Sequence, residues 1–66
     1  MSNEQLVHLR DVEILKKTDW SLWCRIGERR ITVPAQVVSE PRPLPLAGEV
    51  VTLTVARWFA VDNGLA

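Results

Sequence analysis

Few residues in this 66-residue chain could act as a nucleophile or as a base. His8 is the single histidine and Cys24 is the single cysteine. Nucleophilic catalysis needs a base within hydrogen-bonding reach of the nucleophile. His8 lies near the start of the chain, which we expect to be mobile, whereas Cys24 alternates with apolar residues and is predicted to face a core. We therefore interpret Cys24 as a small buried hydrophobic residue and expect no Cys–His pair.

The carboxylates and potential metal ligands are scattered along the sequence. Beyond the N-terminal segment the acidic residues are Asp11, Glu13, Asp19, Glu28, Glu40, Glu49 and Asp62. No spacing among them places two carboxylates in one pocket for acid–base chemistry. One histidine with one cysteine argues against a transition-metal site, and no glycine-rich phosphate loop is present. We predict no catalytic, metal-binding or cofactor-binding residues, and therefore a protein that is not an enzyme.

A β-hairpin predicted over residues 18–34 provides the best candidate for a binding surface. Apolar residues alternate along both strands, which is typical of strands buried on one side. The positions predicted to face the core are Trp20, Leu22, Cys24, Ile26, Ile31 and Val33. The positions predicted to form a binding face on the other side and at the tip are Trp23, Arg25, Arg29, Arg30 and Thr32.

The loop of this hairpin has two alternative lengths. A two-residue loop puts Gly27 first, as a type II′ turn requires, but it sets Arg25 directly opposite Arg30. A four-residue loop pairs Ile26 with Ile31 and separates the two arginines. Both registers keep the apolar faces matched, whereas a three-residue loop would turn one of them outward. We favour the four-residue loop because it avoids the charge repulsion.

The composition is that of one small globular domain spanning residues 1–66. Apolar residues make up 47% and charged residues 24%, and the formal net charge is zero. Neutrality removes the usual electrostatic argument for binding nucleic acid or an anionic membrane, although six arginines against two lysines hint at an interaction surface. Residues 1–5 are polar and expected to fray. We find neither a signal peptide nor a membrane-spanning run and expect a cytoplasmic protein.

In the first predicted strand the apolar residues shift from odd to even positions. Apolar residues occupy odd positions up to Leu9 and even positions from Val12 to Ile14. A bulge at residues 10–11 would bring both sets to the core face and bend the strand. The alternative is that only residues 11–17 form the strand.

The second half of the chain contains a stiff loop between regular elements. Pro34 should end the hairpin, and residues 35–38 are predicted to form a single helical turn. Residues 39–48 contain prolines at alternate positions and are predicted to be an extended surface loop. Residues 51–55 alternate Val or Leu with Thr, which indicates another strand.

A short helix is predicted to close the chain. Trp58 and Phe59 should pack in the core, Gly64 should take the left-handed position after the helix, and Leu65 should fold back on it. The predicted fold class is therefore mainly β. We expect a small, strongly bent antiparallel sheet or an SH3-like barrel of about four strands, with a short C-terminal helix.

Several segments together resemble a known group of proteins. They are Lys16–Thr18, residues 33–37, residues 51–55, Trp58-Phe59-Ala60 and Gly64-Leu65. This pattern is similar to that of short phage- and prophage-encoded proteins of unknown function that end in Trp-Phe/Leu-Ala-x-x-x-Gly-Leu. The resemblance implies a small β-barrel and a mobile-element origin, and it carries over no activity and no functional residues.

The candidate face leads to three hypotheses of function. An exposed tryptophan beside arginine is typical of protein interfaces, so we first expect a non-catalytic protein-interaction module. With the resemblance, this becomes a phage-type factor that binds a host protein or a defence complex. The alternatives are a small barrel that binds single-stranded nucleic acid by stacking bases on Trp23, and a structural homodimer joined through the hairpin. Against all three stands the interpretation that the proline-rich loop or the terminal helix covers Trp23.

Overall fold

The computed structural model describes residues 5–66, which form a five-stranded antiparallel sheet followed by a short helix. The elements in chain order are β1 (Leu6–Lys17), β2 (Ser21–Ile26), β3 (Arg29–Pro34), a 3₁₀ turn (Ala35–Val37), β4 (Val38–Glu40), β5 (Val50–Ala56) and α1 (Arg57–Asp62). In the sheet the strands lie in the order β3-β2-β1-β5-β4, so the long β1 is central. The predicted mainly β class with a terminal helix is confirmed.

The N-terminal segment that was expected to fray falls almost entirely outside the described residues, since these begin at Gln5. The backbone carbonyl of Gln5 accepts a hydrogen bond from the N–H of Arg57 at 2.9 Å.

The sheet is strongly curved. Its edge strands, β3 and β4, are joined by the three residues of the 3₁₀ turn alone. In a flat sheet of five strands the edges would lie about 19 Å apart. Four residue steps reach at most about 14 Å even when fully extended. The sheet must therefore curl until its edges approach, but within residues 5–66 β3 and β4 do not pair, so it stays open.

The shift of the apolar residues of β1 from odd to even positions is caused by a β-bulge. This confirms the interpretation of a bulge at residues 10–11 over that of a strand limited to residues 11–17. Leu9 pairs with Leu53 and Val12 pairs with Val51, so two residues of β1 lie opposite one residue of β5. Asp11, one of those two, has a φ of +56°. Because of the extra residue, Leu9 and Val12 are both buried although their positions differ in parity.

Replacing Asp11 with valine is expected to lower the free energy of unfolding by about 1–2 kcal/mol, because a β-branched side chain is strained at positive φ. Asp11→Gly should leave stability unchanged or raise it by up to about 1 kcal/mol. Urea unfolding followed by circular dichroism measures both. Arg10→Val is the matched control, since Arg10 lies in the same bulge without a positive φ. Equal losses for Asp11→Val and Arg10→Val would contradict this explanation of the bulge.

The hairpin closes through the two-residue loop, so the preference for four residues is wrong. Ile26 pairs with Arg29, and Arg25 pairs with Arg30. Gly27 has a φ of +62°, as the first position of a type II′ turn requires. The opposed like charges are tolerated because Glu13 of β1 pairs with Arg25, as described below.

The segment after the hairpin matches the prediction only in part. The predicted helical turn is the 3₁₀ turn, but Ser39 and Glu40 belong to the short β4, which the sequence did not reveal. The remaining proline-rich loop is tied to the sheet by Arg42, whose Nη2 donates to the carbonyls of Ala35 at 3.0 Å and Val38 at 2.8 Å. This contact holds the loop over the connection between the two sheet edges.

The core lies on the concave side of the sheet. Its buried apolar residues are Leu9, Val12, Ile14, Leu22, Cys24, Val33, Val37, Val38, Leu53, Val55, Phe59 and Ala60. They come from all five strands, the 3₁₀ turn and α1, so each element contributes to a single cluster.

The helix α1 packs on the core with one side. Phe59 is buried, whereas Trp58 is 60% exposed, so the prediction of a core position is confirmed for Phe59 and wrong for Trp58. α1 lies against β5 and β1, and within residues 5–66 no other element covers the side that carries Trp58. Its end is as predicted. Gly64 has a φ of +71°, and the N–H of Leu65 donates to the carbonyl of Ala60 at 2.7 Å in a Schellman arrangement. Over residues 5–66, every helix is too short or too polar to cross a bilayer.

Candidate functional site

The convex side of the hairpin carries four of the five predicted binding residues. Trp23 pairs with Thr32, and Arg25 pairs with Arg30, so these four side chains share the outward side of β2 and β3. All four are exposed. We call this set, Trp23, Arg25, Arg30 and Thr32, the hairpin outer face.

Trp23 is accessible on this surface. Its side chain is 46% exposed, so the interpretation that a loop or helix covers it is wrong. The Nζ atom of Lys16, on β1, lies 4.8 Å from the centroid of the indole ring. An exposed cation–π contact of this kind stabilises by roughly 0.5–1 kcal/mol. The contact orients the indole and places a positive charge beside it.

Arg25 lies in a row of charges that crosses three strands. Glu13 of β1 accepts a hydrogen bond from the Arg25 guanidinium, and on its other side Arg25 lies opposite Arg30 of β3. The ion pair is exposed and contributes about 0.2–1 kcal/mol, which is similar to the cost of an opposed like-charge pair. Glu13 thus balances Arg25, whereas Arg30 forms no ion pair with another residue of the described chain.

Arg29, the fifth predicted residue, does not belong to the outer face. The two-residue loop pairs it with Ile26 and turns it toward the side of the sheet that carries the core. Its Nη2 donates to the carbonyl of Asn63 at 2.6 Å, and its Nη1 donates to that of Gly64 at 3.3 Å. A cation is favourable where a helix ends, because the carbonyls there lack helical partners. Arg29 therefore fastens the hairpin tip to the end of α1.

A shallow groove runs beside the tryptophan. Its volume is about 260 Å³, and the residues lining it are Leu15, Trp23, Cys24, Arg30, Ile31 and Thr32. Leu15 is 39% exposed because it alternates with the buried Ile14 and so faces outward, and a second irregularity in β1, between Ile14 and Lys16, brings Lys16 to the same side opposite Trp23. Sequence reasoning missed Leu15 and Lys16 as site residues. The only available signal was that Leu15 follows the buried Ile14 directly.

Trp20 is not a core residue, which corrects the prediction for the start of the hairpin. Its side chain is 82% exposed, and β2 begins one residue later. The Thr18 hydroxyl oxygen accepts hydrogen bonds from the backbone N–H groups of Trp20 at 3.2 Å and Ser21 at 3.0 Å, so Trp20 lies in a tight turn. A second groove, of about 580 Å³, opens beside it. The residues lining it are Asp19, Trp20, Pro34, Ala35, Gln36 and Arg42.

His8 and Cys24 lie in different surroundings. His8 is in β1 rather than in a mobile end, and its Nδ1 is 2.8 Å from the Thr54 hydroxyl, with which it shares a hydrogen bond. Cys24 is fully buried, as predicted. Burial raises the pKa of the Cys24 thiol from 9.0 to about 11, because the charged thiolate loses its hydration. The thiol is therefore neutral at physiological pH and behaves as an apolar core group.

Two grooves therefore lie beside exposed tryptophans, and the one at the hairpin outer face is lined by three of the predicted binding residues, Trp23, Arg30 and Thr32. Comparisons with protein-family models, with curated proteins and with solved structures find no match for this chain.

Proposed function

We propose that this protein is a non-catalytic protein-interaction module that binds a protein partner through the hairpin outer face. The observation that carries the proposal is that the half-exposed Trp23 lies beside Arg30, which has no ion-pair partner in the described chain, on one three-stranded surface. Tryptophan and arginine are the residues most enriched at the energetic centres of protein interfaces. A net charge of zero favours a protein over a polyanion as the partner.

The surroundings of Trp23 support an interface of this kind. The groove beside the indole includes the apolar Leu15 and the hydroxyl of Thr32, so apolar and polar contacts lie side by side. The strands are held by backbone ladders on both sides of β2, so the face needs little reorganisation on binding. Pre-organisation of this sort lowers the entropy cost of forming a complex.

Single-stranded nucleic acid is the second candidate, because Lys16, Arg30 and Trp23 lie on one side of the sheet. Two features favour a protein instead. The Lys16 ammonium lies over the indole where a base would stack, and the Glu13 carboxylate is part of the same row of side chains. A homodimer through the hairpin is the third candidate, and a sizing measurement at micromolar concentration tests it.

We extend the proposal to the type of protein and to the finer fold. The similarity to short phage-encoded proteins supports a phage-type factor whose partner is a host protein or a defence complex. An SH3-like barrel is supported by the strand order and by the strong curl that the short connection between β3 and β4 imposes.

The test is affinity capture from bacterial lysate with the immobilised protein. Trp23→Ala should reduce recovery of the specific partner by about tenfold or more, because truncating an interface tryptophan commonly removes at least that much affinity. Trp58→Ala is the matched control, since Trp58 is also exposed but lies on α1, away from the hairpin. Circular dichroism should show that both variants stay folded.

Unchanged capture by Trp23→Ala would contradict the choice of face, as would equal losses for Trp23→Ala and Trp58→Ala. A titration with fluorescent oligonucleotides at low and high salt completes the test. Tight binding that weakens steeply with salt would favour the nucleic-acid alternative.

A further inference from the structure

The edge of the sheet at β3 is available for another strand. β3 is the terminal strand in the sheet order, and in residues 5–66 it pairs with β2 alone. It has six residues, whereas β4 at the opposite edge has three and leads into the proline-rich loop. An unpaired strand of this length is a template for an extended segment of another chain.

The register shows which backbone groups point outward from this edge. In a two-residue hairpin the residues that flank the loop, here Ile26 and Arg29, exchange hydrogen bonds with each other. Alternation along the antiparallel pair then directs the backbone of Ile31 toward β2 and that of Arg30 and Thr32 away from it. The N–H and C=O groups of Arg30 and Thr32 therefore form the ladder that a further strand would meet. Pro34 ends that ladder, since it has no N–H to donate.

The charges along the edge indicate which kind of strand fits. On the convex side the row runs Glu13, Arg25, Arg30, and the last arginine has no carboxylate partner in the described chain. A strand added beside β3 would place one side chain directly opposite Arg30. A carboxylate there would balance the charge that the opposed arginines leave, whereas a lysine would add a third positive charge.

The opposite side of the same edge is apolar. Ile31 is half-buried and packs against the core, so the residue of the added strand that faces it should be apolar. Thr32, on the convex side, suits a β-branched or hydroxyl neighbour. The fitting segment therefore alternates, with acidic or hydroxyl side chains on one side and apolar side chains on the other.

We propose that the β3 edge binds an extended acidic segment of a partner protein as a sixth strand, with a carboxylate of that segment opposite Arg30. This inference rests on the proposed function, for which it specifies the recognition mode and the chemistry of the partner. Backbone hydrogen bonds to Arg30 and Thr32 supply affinity, and the carboxylate and the apolar side chains supply selectivity.

The direct test uses a fluorescein-labelled peptide, Ser-Thr-Val-Glu-Val-Thr-Ser, and a second peptide with lysine in place of glutamate. Fluorescence anisotropy should show that the glutamate peptide binds the wild-type protein about fivefold more tightly than the lysine peptide, as expected for opposite against like charges across strands. Arg30→Glu should reverse that preference. No binding of either peptide, or equal binding of both, would overturn the proposal.

Two variants at one position separate the backbone from the side chain. Thr32→Pro removes the outward N–H without breaking the ladder to β2, and Thr32→Val removes only the hydroxyl. The proline variant should bind the glutamate peptide about tenfold more weakly than the valine variant, because it lacks one backbone hydrogen bond. Equal affinities would contradict strand addition. Trp58→Ala, on α1, should bind like the wild type.

Amide hydrogen exchange on the wild-type protein gives a result that does not depend on any variant folding. Saturation with the glutamate peptide should slow exchange at Arg30 and Thr32, whose amides point outward, and leave unchanged the amide of Leu53 in β5, which is an interior strand. Absence of protection at both β3 amides would overturn the proposal. So would a dimer at micromolar concentration that Thr32→Pro dissociates, since a second copy would then occupy the edge.

Lysate capture by two variants distinguishes failure of the edge proposal from failure of the proposed function. If lysate capture is lost in Trp23→Ala but retained in Thr32→Pro, the hairpin outer face binds a protein without adding a strand, and only the edge proposal fails. If Trp23→Ala captures the partner normally, the proposed function itself is contradicted.

Discussion

Leu22→Ala is expected to lower the free energy of unfolding by about 2–5 kcal/mol. Leu22 is fully buried in the centre of the core, and truncation both loses its transfer free energy and leaves a cavity. A domain of this size has a total stability of roughly 3–10 kcal/mol, so the variant should be largely unfolded or close to it. Thermal and urea unfolding, followed by far-ultraviolet circular dichroism, measure the loss.

Trp20→Ala is the matched control for this prediction. Trp20 is the larger side chain and lies two positions away, but it is 82% exposed, so its removal should change stability by less than about 0.5 kcal/mol. If Trp20→Ala proved as destabilising as Leu22→Ala, the start of β2 would have to lie at Trp20, with the indole in the core. The pair therefore tests the hairpin boundary as well as the core.

The second large effect is expected at alkaline pH. The pKa of Cys24 is raised from 9.0 to about 11 by burial. Below pH 9 the thiol is neutral in both the folded and the unfolded state, so the stability linked to this group is fully present. Between pH 9 and 11 the unfolded chain releases the proton while the folded chain keeps it, so stability falls as pH rises. The full loss is about 2.7 kcal/mol, since each pKa unit corresponds to about 1.36 kcal/mol.

Urea unfolding at pH 7, 8.5 and 10 checks this dependence. Cys24→Ala is the control, because it lacks the thiol and should show a shallower decline above pH 9, whatever stability it has at pH 7. All other ionisable groups are common to both proteins and cancel in the comparison. Parallel declines would contradict a role for Cys24 ionisation.

Much of the architecture was predictable because it depends on contacts close in sequence. The alternation of Leu22, Cys24 and Ile31 required one buried face, whichever loop joined the strands. The shift of apolar positions from odd to even in β1 required an extra residue if both sets were to reach the core, and the bulge supplies it. Gly64 likewise marked the end of α1.

The candidate site was predictable in part. Trp23, Arg25 and Thr32 share the outer face because period-two alternation places them there in either register, whereas Arg30 joins them because the two-residue loop leaves it in β3. Arg29 was predicted to lie at the hairpin tip as part of the binding face. Because the loop has two residues, Arg29 belongs to β3 and lies on the side of the sheet that carries the core. Leu15 and Lys16 were missed. Alternation after Ile14 already turns Leu15 outward, but only the second irregularity in β1 brings Lys16 beside the tryptophan.

The sequence by itself therefore determined the class of fold, the buried side of each long strand and the type of surface that the hairpin presents. The tertiary structure alone decided the hairpin register. Glu13 from β1 pairs with Arg25 and so offsets its repulsion with Arg30, which had favoured the four-residue loop. The two-residue loop also turns Arg29 toward the carbonyls at the end of α1, to which it donates two hydrogen bonds. Tertiary structure also decided the exposure of Trp20 and Trp58, because burial requires a covering element, and local alternation cannot supply one.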